Sequence, residues 1–436
     1  MTMRPLQIVC VTAFAVTLVA LALTVDSGSQ RSGVRARPLP VSAVAGGPGS
    51  TQQRVELLQA SVRTRPADAE GLVALGSALL QRARETGDAS YYLRAQRVID
   101  DALAHDRSNA GAYAARGALR LARHDFRGAL RDGLRARKLA PEVVKPLGVV
   151  ADANVELGRY EAAGEALQRM VDSKPNLDAY ARVSYFRELH GDLAGAREAL
   201  TLALAAGGQA PENVAYVQTL QGNLALARGR HAAARRAYRA ALARSRGYVP
   251  GRVGLARTDA ADGRLDQAIE RLRAVVAQLP LPEYVVLLGE TELAAGRSTA
   301  ARRTFELVRV QQRLLSGAGV NTDVELALFE ADHGSAGRAV TLARKSWAQA
   351  PSVRSADALG WALTRAGRPA EGYTWARRAL RLGSPDATFL YHAGMGARAA
   401  GRPAAARALL RRATAVSPRF SPLYGPRAKR VLARLR

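Results

Sequence analysis

The residues able to do chemistry are few, and their spacing does not bring them together. Six histidines are scattered along 436 residues, and none pairs with another as His-x-x-x-His or His-Glu-x-x-His. Those spacings would put two imidazoles on one helical face around a metal. His124, His190, His231 and His333 fall at turns between helical segments, where a solvated side chain is expected and a metal ligand is not. There is no Gly-x-Ser-x-Gly nucleophile elbow and no Gly-Lys-Ser/Thr phosphate loop. Adjacent acids such as Asp100 and Asp101 point apart on a helix, so they cannot share a proton. The only cysteine, Cys10, lies in an apolar run, which excludes an intramolecular disulfide and thiol chemistry in any folded part. With no nucleophile, base and oxyanion set, the expectation is a chain that is not an enzyme and needs no cofactor or metal.

What the chain does have is a period. In Gly158 to Pro175 a Gly-Arg-Tyr turn is followed by Ala163, Leu167 and a closing proline. Pro141 and Pro175 lie 34 residues apart, and Gly263–Pro280, Gly334–Pro351 and Gly401–Pro418 repeat the 17-residue half-unit of Gly158–Pro175. A fixed period in the mid-thirties marks a solenoid of stacked supersecondary units. Such an array also accommodates the length, since each unit packs only on its neighbours. Alanine, leucine and arginine dominate, all strong helix formers, so an all-α chain is expected. The formal net charge is +27, with only five lysines and the remaining cations arginine. That charge allows nucleic acid, anionic lipid or an acidic polymer as partner, but its spread over every repeat also suits a solvated basic exterior.

Leu6 to Val25 is 20 residues without a charge, preceded by Arg4. At about 1.5 Å per residue it matches one hydrocarbon thickness. It reads as a single membrane anchor or, with Ala20-Leu21-Ala22 as a small-x-small site, as a cleaved secretory signal. Arg31, Arg35 and Arg37 keep an inward-facing topology open. Cys10 comes too early for lipid attachment, and no later segment is long and apolar enough to span. Residues 26–50, rich in Gly, Ser, Pro and Arg, read as a flexible linker. Residues 51–66 give a short capping helix (Val55, Leu58, Val62), residues 67–420 the repeat array and residues 421–436 a basic C-terminal capping helix.

The unit has a helix bearing Leu-Gly (Leu75-Gly76, Leu288-Gly289, Leu359-Gly360), a glycine turn, a second helix with small residues, then proline. Over about residues 67–420 this pattern resembles the tetratricopeptide repeat family, in about ten degenerate copies. Small residues at Gly117, Ala151, Gly222, Ala256, Gly289, Gly360 and Gly394 would let paired helices approach. Leu167, Tyr238, Leu272, Phe305 and Leu410 would fill the space between pairs. Departures are an enlarged loop at Glu85 to Ser90, an irregular stretch near Ser316 to Gly319, and Gly133 where a bulky residue is expected.

The resemblance implies a right-handed superhelical solenoid of antiparallel helix pairs whose first helices line a concave groove for a protein or peptide. By repeat spacing the groove positions are Lys145, Asp152, Glu156, Asp178, Tyr185, Glu188, Tyr216, Asn223, Arg257, Glu283 and Glu290, then Arg354, Asp357, Trp361, Arg365, Tyr391, Met395 and Arg398. Aromatic and arginine residues dominate interface energetics. The C-terminal set Asp357, Trp361, Arg365, Tyr391, Met395 and Arg398 is therefore the expected docking face, with packing between repeats the alternative for Trp361 and Met395. The Lys and Asn set with which some members clamp a C-terminal carboxylate is missing. The reading is a non-enzymatic interaction scaffold, membrane-tethered with the repeats extracytoplasmic, or secreted. Its rivals are a binder of an anionic envelope polymer or lipid headgroups, and a cytoplasmic regulator; nucleic acid is the weakest of the partners.

Overall fold

A computed structural model describes residues 50–206 and 211–435. The expected anchor or signal and nearly all of the linker lie outside the described residues. Twenty-two helices and no strand are present among the described residues. In chain order they are α1 (Thr51–Thr64), α2 (Ala69–Thr86), α3 (Ser90–His105), α4 (Ala110–Ala122), α5 (Phe126–Leu139), α6 (Lys145–Glu156) and α7 (Tyr160–Ser173). Next come α8 (Leu177–Leu189), α9 (Leu193–Ala205), α10 (Pro211–Ala227), α11 (His231–Arg244), α12 (Val249–Ala261), α13 (Leu265–Gln278), α14 (Pro282–Ala294) and α15 (Ser298–Gly317). The last are α16 (Asp323–His333), α17 (Ala336–Gln349), α18 (Val353–Arg365), α19 (Pro369–Ala379), α20 (Ala387–Ala399), α21 (Pro403–Val416) and α22 (Tyr424–Arg434). No described helix is long and apolar enough to cross a membrane.

The described residues fall into two compact units, one of residues 50–153 with Gly317–Val320, the other of residues 154–316 and 321–435. In the first, α1 opens on a capping box: the Ser50 hydroxyl accepts from the Gln53 N–H, and the Gln53 side chain accepts from the Ser50 N–H. These bonds satisfy N–H groups that the first helical turn would otherwise leave unpaired. Asp68, Asn109 and Asp125 cap α2, α4 and α5 with a single bond each, accepting from the Gly71, Ala112 and Gly128 N–H groups. The loop expected at Glu85 to Ser90 is shorter, because α2 continues to Thr86 and ends on left-handed Gly87, leaving residues 87–89 between α2 and α3. The Gly133 anomaly also has a cause. A Cβ there would lie 2.9 Å from Val150 Cγ2, so the bulk comes from the next helix.

The second unit holds α7 to α14, most of α15, and α16 to α22. Its helices pack where a small residue faces a large one. Tyr238 of α11 is fully buried, and its ring lies between Gly222 of α10 and Gly254 of α12. A Cβ on either glycine would lie 2.4 or 2.2 Å from the ring. Gly289 receives Phe305 and Gly394 receives Leu410 in the same manner, while Gly360 lies against the backbone of α19. Of the irregular stretch expected near Ser316 to Gly319, the first two residues end α15, and Ala318 and Gly319 form a turn with Gly319 at φ +77°. Turns between helices need a left-handed residue, as at Gly263 with φ +85°. Between α4 and α5 in the first unit, His124 takes that conformation at φ 60°.

Distant parts of the second unit also meet. The Tyr160 hydroxyl accepts from the Val353 N–H at 2.9 Å, and Arg381 donates to the Gly158 carbonyl at 3.4 Å. After α21, residues 417–424 cross to the repeats around α10 to α14: Pro418 lies 3.7 Å from the Cβ position of Gly229, and Arg419 donates to the Ala261 carbonyl at 3.1 Å. The basic closing helix α22 starts at Tyr424 and buries Ala428 and Val431.

Two substitutions separate close packing from turn conformation. Gly289→Val forces a branched side chain into Phe305 and should destabilise by about 1–3 kcal/mol, the usual cost of overpacking a core. Gly263→Ala meets no atom within 4 Å and should cost only the left-handed strain of about 1–2 kcal/mol. Urea unfolding of both variants checks the ordering, and a Gly289→Val midpoint equal to wild type would contradict it.

Candidate binding groove

Within the second unit the first helices of successive pairs share an inner face, and a cavity of about 250 Å³ lies along it. Helical spacing builds its walls. Glu283, Leu287 and Glu290 make a stripe at i, i+4 and i+7 on α14, and Glu325, Phe329 and Asp332 repeat it on α16. Tyr185 and Leu189 come from α8, Val253 and Arg257 from α12, Arg354 and Asp357 from α18, and Phe389 and His392 from α20. Arg419, Phe420 and Tyr424 of the closing segment complete the lining. The wall is apolar and aromatic, with carboxylates set into it.

Six carboxylates line the cavity (Glu283, Glu290, Glu325, Asp332, Asp357 and Asp386) against three arginines (Arg257, Arg354 and Arg419). Most acids have a partner. Arg354 donates to Glu325 at 3.2 Å and lies 3.9 Å from Glu156. His392 Nδ1 lies 2.9 and 3.1 Å from the two oxygens of Asp357, and its ring stacks on Trp361 at 4.4 Å. Burial works against a charged His392, but the Asp357 carboxylate outweighs it and raises the imidazole above its ordinary range. Asp386 caps α20 through the Thr388 and Phe389 N–H groups.

Glu283 differs. Among the described residues it has no ion pair at contact distance. Burial, and then the charge of Glu325, push its carboxyl up to about 7 against a smaller opposing effect of Arg354. Glu188 on α8, 8% exposed, is likewise raised well above the usual range by burial and by Asp386.

His333, expected as a solvated turn residue, is instead nearly buried. Its ring stacks on Phe305 at 4.3 Å and its Nε2 lies 3.2 Å from Glu290. His231 is half-buried against Asp262 at 2.5 Å, whereas His190 is exposed at the end of α8. No cluster of three metal-capable side chains occurs among the described residues.

The expected docking face is distributed differently. Asp357 lines the cavity, but Trp361 (1% exposed), Tyr391 (0%) and Met395 (8%) are core residues. Trp361 Nε1 donates to Asp332 at 3.0 Å, and Arg365 Nε donates to the Ala331 carbonyl at 2.9 Å, so both tie α18 to α16. Tyr391 lies under the closing segment, 5.8 Å from Phe420 and 5.2 Å from Tyr424 between ring centres. Arg398 is exposed. The 34-residue register that aligns these positions is therefore a packing register here.

Of the other groove positions, Tyr185, Arg257, Glu283, Glu290 and Arg354 do line the cavity. Spacing missed Glu325 and Asp332, because α16 has no Leu-Gly pair to set its register. It also missed Arg419 and Tyr424, which lie beyond the last repeat in a segment with no period.

The match to known families lies in the middle of this unit. Residues 225–287 match the family model described as tetratricopeptide repeat. The match runs from the end of α10 through α13 into α14 and includes Tyr238 and Gly254. Each of the two units is an all-α array of antiparallel helix pairs of that type. No curated protein matches the chain by sequence. Among solved structures, the human IFIT1 dimer with PPP-AAAA is 16% identical, with 83% of this chain and 86% of that chain covered and a TM-score of 0.45. The APC/C hetero-tetramer Cut9–Hcn1 is 14% identical over 88% and 93%, with a TM-score of 0.39. A tetratricopeptide repeat protein from Parabacteroides merdae is 16% identical over 59% and 98%, with a TM-score of 0.35. These likenesses concern the fold alone.

The raised Glu283 carboxyl predicts a pH-dependent stability change. A carboxyl raised in the folded state stabilises fully below its unfolded value, and that stability is lost as pH rises through about 7. Glu283→Gln, which carries no charge, should match wild type near pH 4 and be the more stable protein at pH 8. Urea midpoints at the two pH values check this, and an equal difference at both would show that Glu283 is not strained by ionisation.

Proposed function

We infer that this protein is a non-enzymatic scaffold that takes a segment of another protein into the inner groove of its second unit. The observation that carries the reading is the cavity itself, walled by the first helices of successive repeats. It is apolar enough to hold side chains and has polar groups set at fixed spacing to orient them. At about 250 Å³ it is smaller than the roughly 300–1,000 Å³ of typical ligand pockets, which suits one or two side chains of an extended segment better than a folded domain. The apolar Leu6 to Val25 run supports an exported chain, anchored or secreted, with the repeats outside the cytoplasmic membrane.

A second reading, an anionic envelope polymer held on the outer face, draws on Arg235, Arg236, Arg239 and Arg264, which line one shallow cleft. That cleft is already partly neutralised: Arg235 and Arg264 both pair with Asp259 and Asp262.

Crosslinking of the full chain in native membranes distinguishes the two. Leu287→Arg, which blocks the groove, should cut partner capture about tenfold, a loss of about 1.4 kcal/mol in binding. Reversing the exposed Arg236 and Arg239 to Glu should leave capture unchanged. The opposite outcome, with steep loss of binding as salt rises, would transfer the function to the basic exterior. For topology, a C-terminal reporter active only in the cytoplasm should stay dark.

A further inference from the structure

The groove has the opposite charge character to the rest of the chain. On a chain of net charge +27, the cavity wall carries twice as many carboxylates as arginines. Arg354 is committed within the fold to Glu325 and Glu156, and Arg419 to the Ala261 carbonyl. Glu283 is left with no contact ion pair, facing Glu325 of α16 and Arg354 of α18, while Arg257 of α12 lines the same cavity. Glu283 is half-buried, so water solvates its carboxylate only in part, and a matching cation from a ligand would supply the ion pair it lacks.

An independent observation shows what such a ligand looks like. Within the chain's own residues 417–424, Ser-Pro-Arg-Phe-Ser-Pro-Leu-Tyr, Arg419 to Pro422 and Tyr424 line one side of the cavity. Arg419 donates to the carbonyl of Ala261, the last residue of α12, where the negative end of a helix favours a cation. Phe420 packs on Tyr391, and the Tyr424 hydroxyl donates to Glu290 at 3.4 Å. A short segment with arginine next to an aromatic residue and proline nearby is thus already accommodated by this wall.

Resting on the reading of the groove as a peptide site, we propose that its ligand is an extended segment carrying arginine or lysine beside an aromatic residue. The cation meets the Glu283 carboxylate, a contact that the chain's own Arg419 does not make because it is held on the Ala261 carbonyl. Acidic segments are repelled by the same wall, and neutral ones leave Glu283 without an ion pair.

The test uses the purified full chain and a fluorescein-labelled peptide copying residues 417–424, followed by fluorescence anisotropy. The same peptide with R419Q serves as the neutral comparison. At pH 8 the R419Q peptide should bind about tenfold more weakly or worse, the scale of a lost charge-assisted hydrogen bond. Glu283→Gln in the chain should weaken the basic peptide by about the same factor and leave the R419Q peptide unchanged. Wild-type affinity for the basic peptide should rise from pH 5.5 to pH 8, because the cation needs Glu283 ionised, and Glu283→Gln should flatten that rise. Arg419→Ala in the chain, which frees part of the wall, should tighten binding.

Equal binding of the two peptides, or an unchanged affinity in Glu283→Gln, would overturn the proposal. So would absence of binding by either peptide to wild type and to Arg419→Ala. None of these results touches the scaffold reading, which stands or falls separately on the Leu287→Arg crosslinking result.

Discussion

The structure depends on how closely two helices can approach. When a first helix presents glycine, the facing helix can seat a whole aromatic ring against its backbone, as Tyr238 does between Gly222 and Gly254. With no Cβ on either side, the ring replaces the atoms that a larger pair would have shared between them, and core density is kept. Phe305 on Gly289 and Leu410 on Gly394 solve the same problem with different volumes. Glycine is unfavourable inside a helix by roughly 0.5–1 kcal/mol relative to alanine. Burying an aromatic or large aliphatic side chain returns about 1.5–3 kcal/mol, so the exchange favours the pair. Repeating it fixes the helix spacing and so the inner face that carries the groove.

That interaction explains why so much of the fold could be read from the residues. Gly222 with Tyr238 and Gly289 with Phe305 are local in sequence, recur at a period near 34, and name both partners of each contact. The solenoid class and several groove positions follow from them, including Arg257, Glu283 and Glu290. The features missed lack that locality. Nothing within the repeat containing Tyr160 indicates that its hydroxyl accepts from Val353, 193 residues away. Nothing in the periodic pattern brings Arg419 to Ala261, because residues 417–424 follow the last repeat. Periodicity also gives only the face of a helix, and so could not tell a solvated Trp361 from one whose Nε1 is spent on Asp332.

Burial of those aromatic and arginine side chains changes what a surface census means. An arginine next to a tryptophan on an expected concave face looks like a hot spot. In this chain Arg365 spends its Nε–H on the Ala331 carbonyl and lies 5.7 Å from the Trp361 ring, so its contribution goes to joining α18 and α16. The energetics of hot spots and of repeat packing draw on the same residue types, and only the partner's position separates them.

What remains for function is then set by electrostatic mismatch more than by exposed bulk. The walls around His392 show a completed arrangement: Asp357 holds the imidazole, Trp361 stacks on it, and Asp332 takes the indole N–H, so each polar atom named has a partner inside the protein. A satisfied network of this kind makes the two helices rigid and leaves little for a ligand to gain. Glu283, half-buried on the same wall, has no ion pair, and desolvation together with the Glu325 charge pushes its carboxyl up to about 7. Stability alone would favour a glutamine there, since an amide fits the same space without a charge to desolvate. A position at which the fold would be better served by a different residue is where a binding role is most economically placed, because the energy withheld from folding becomes available when a cation arrives.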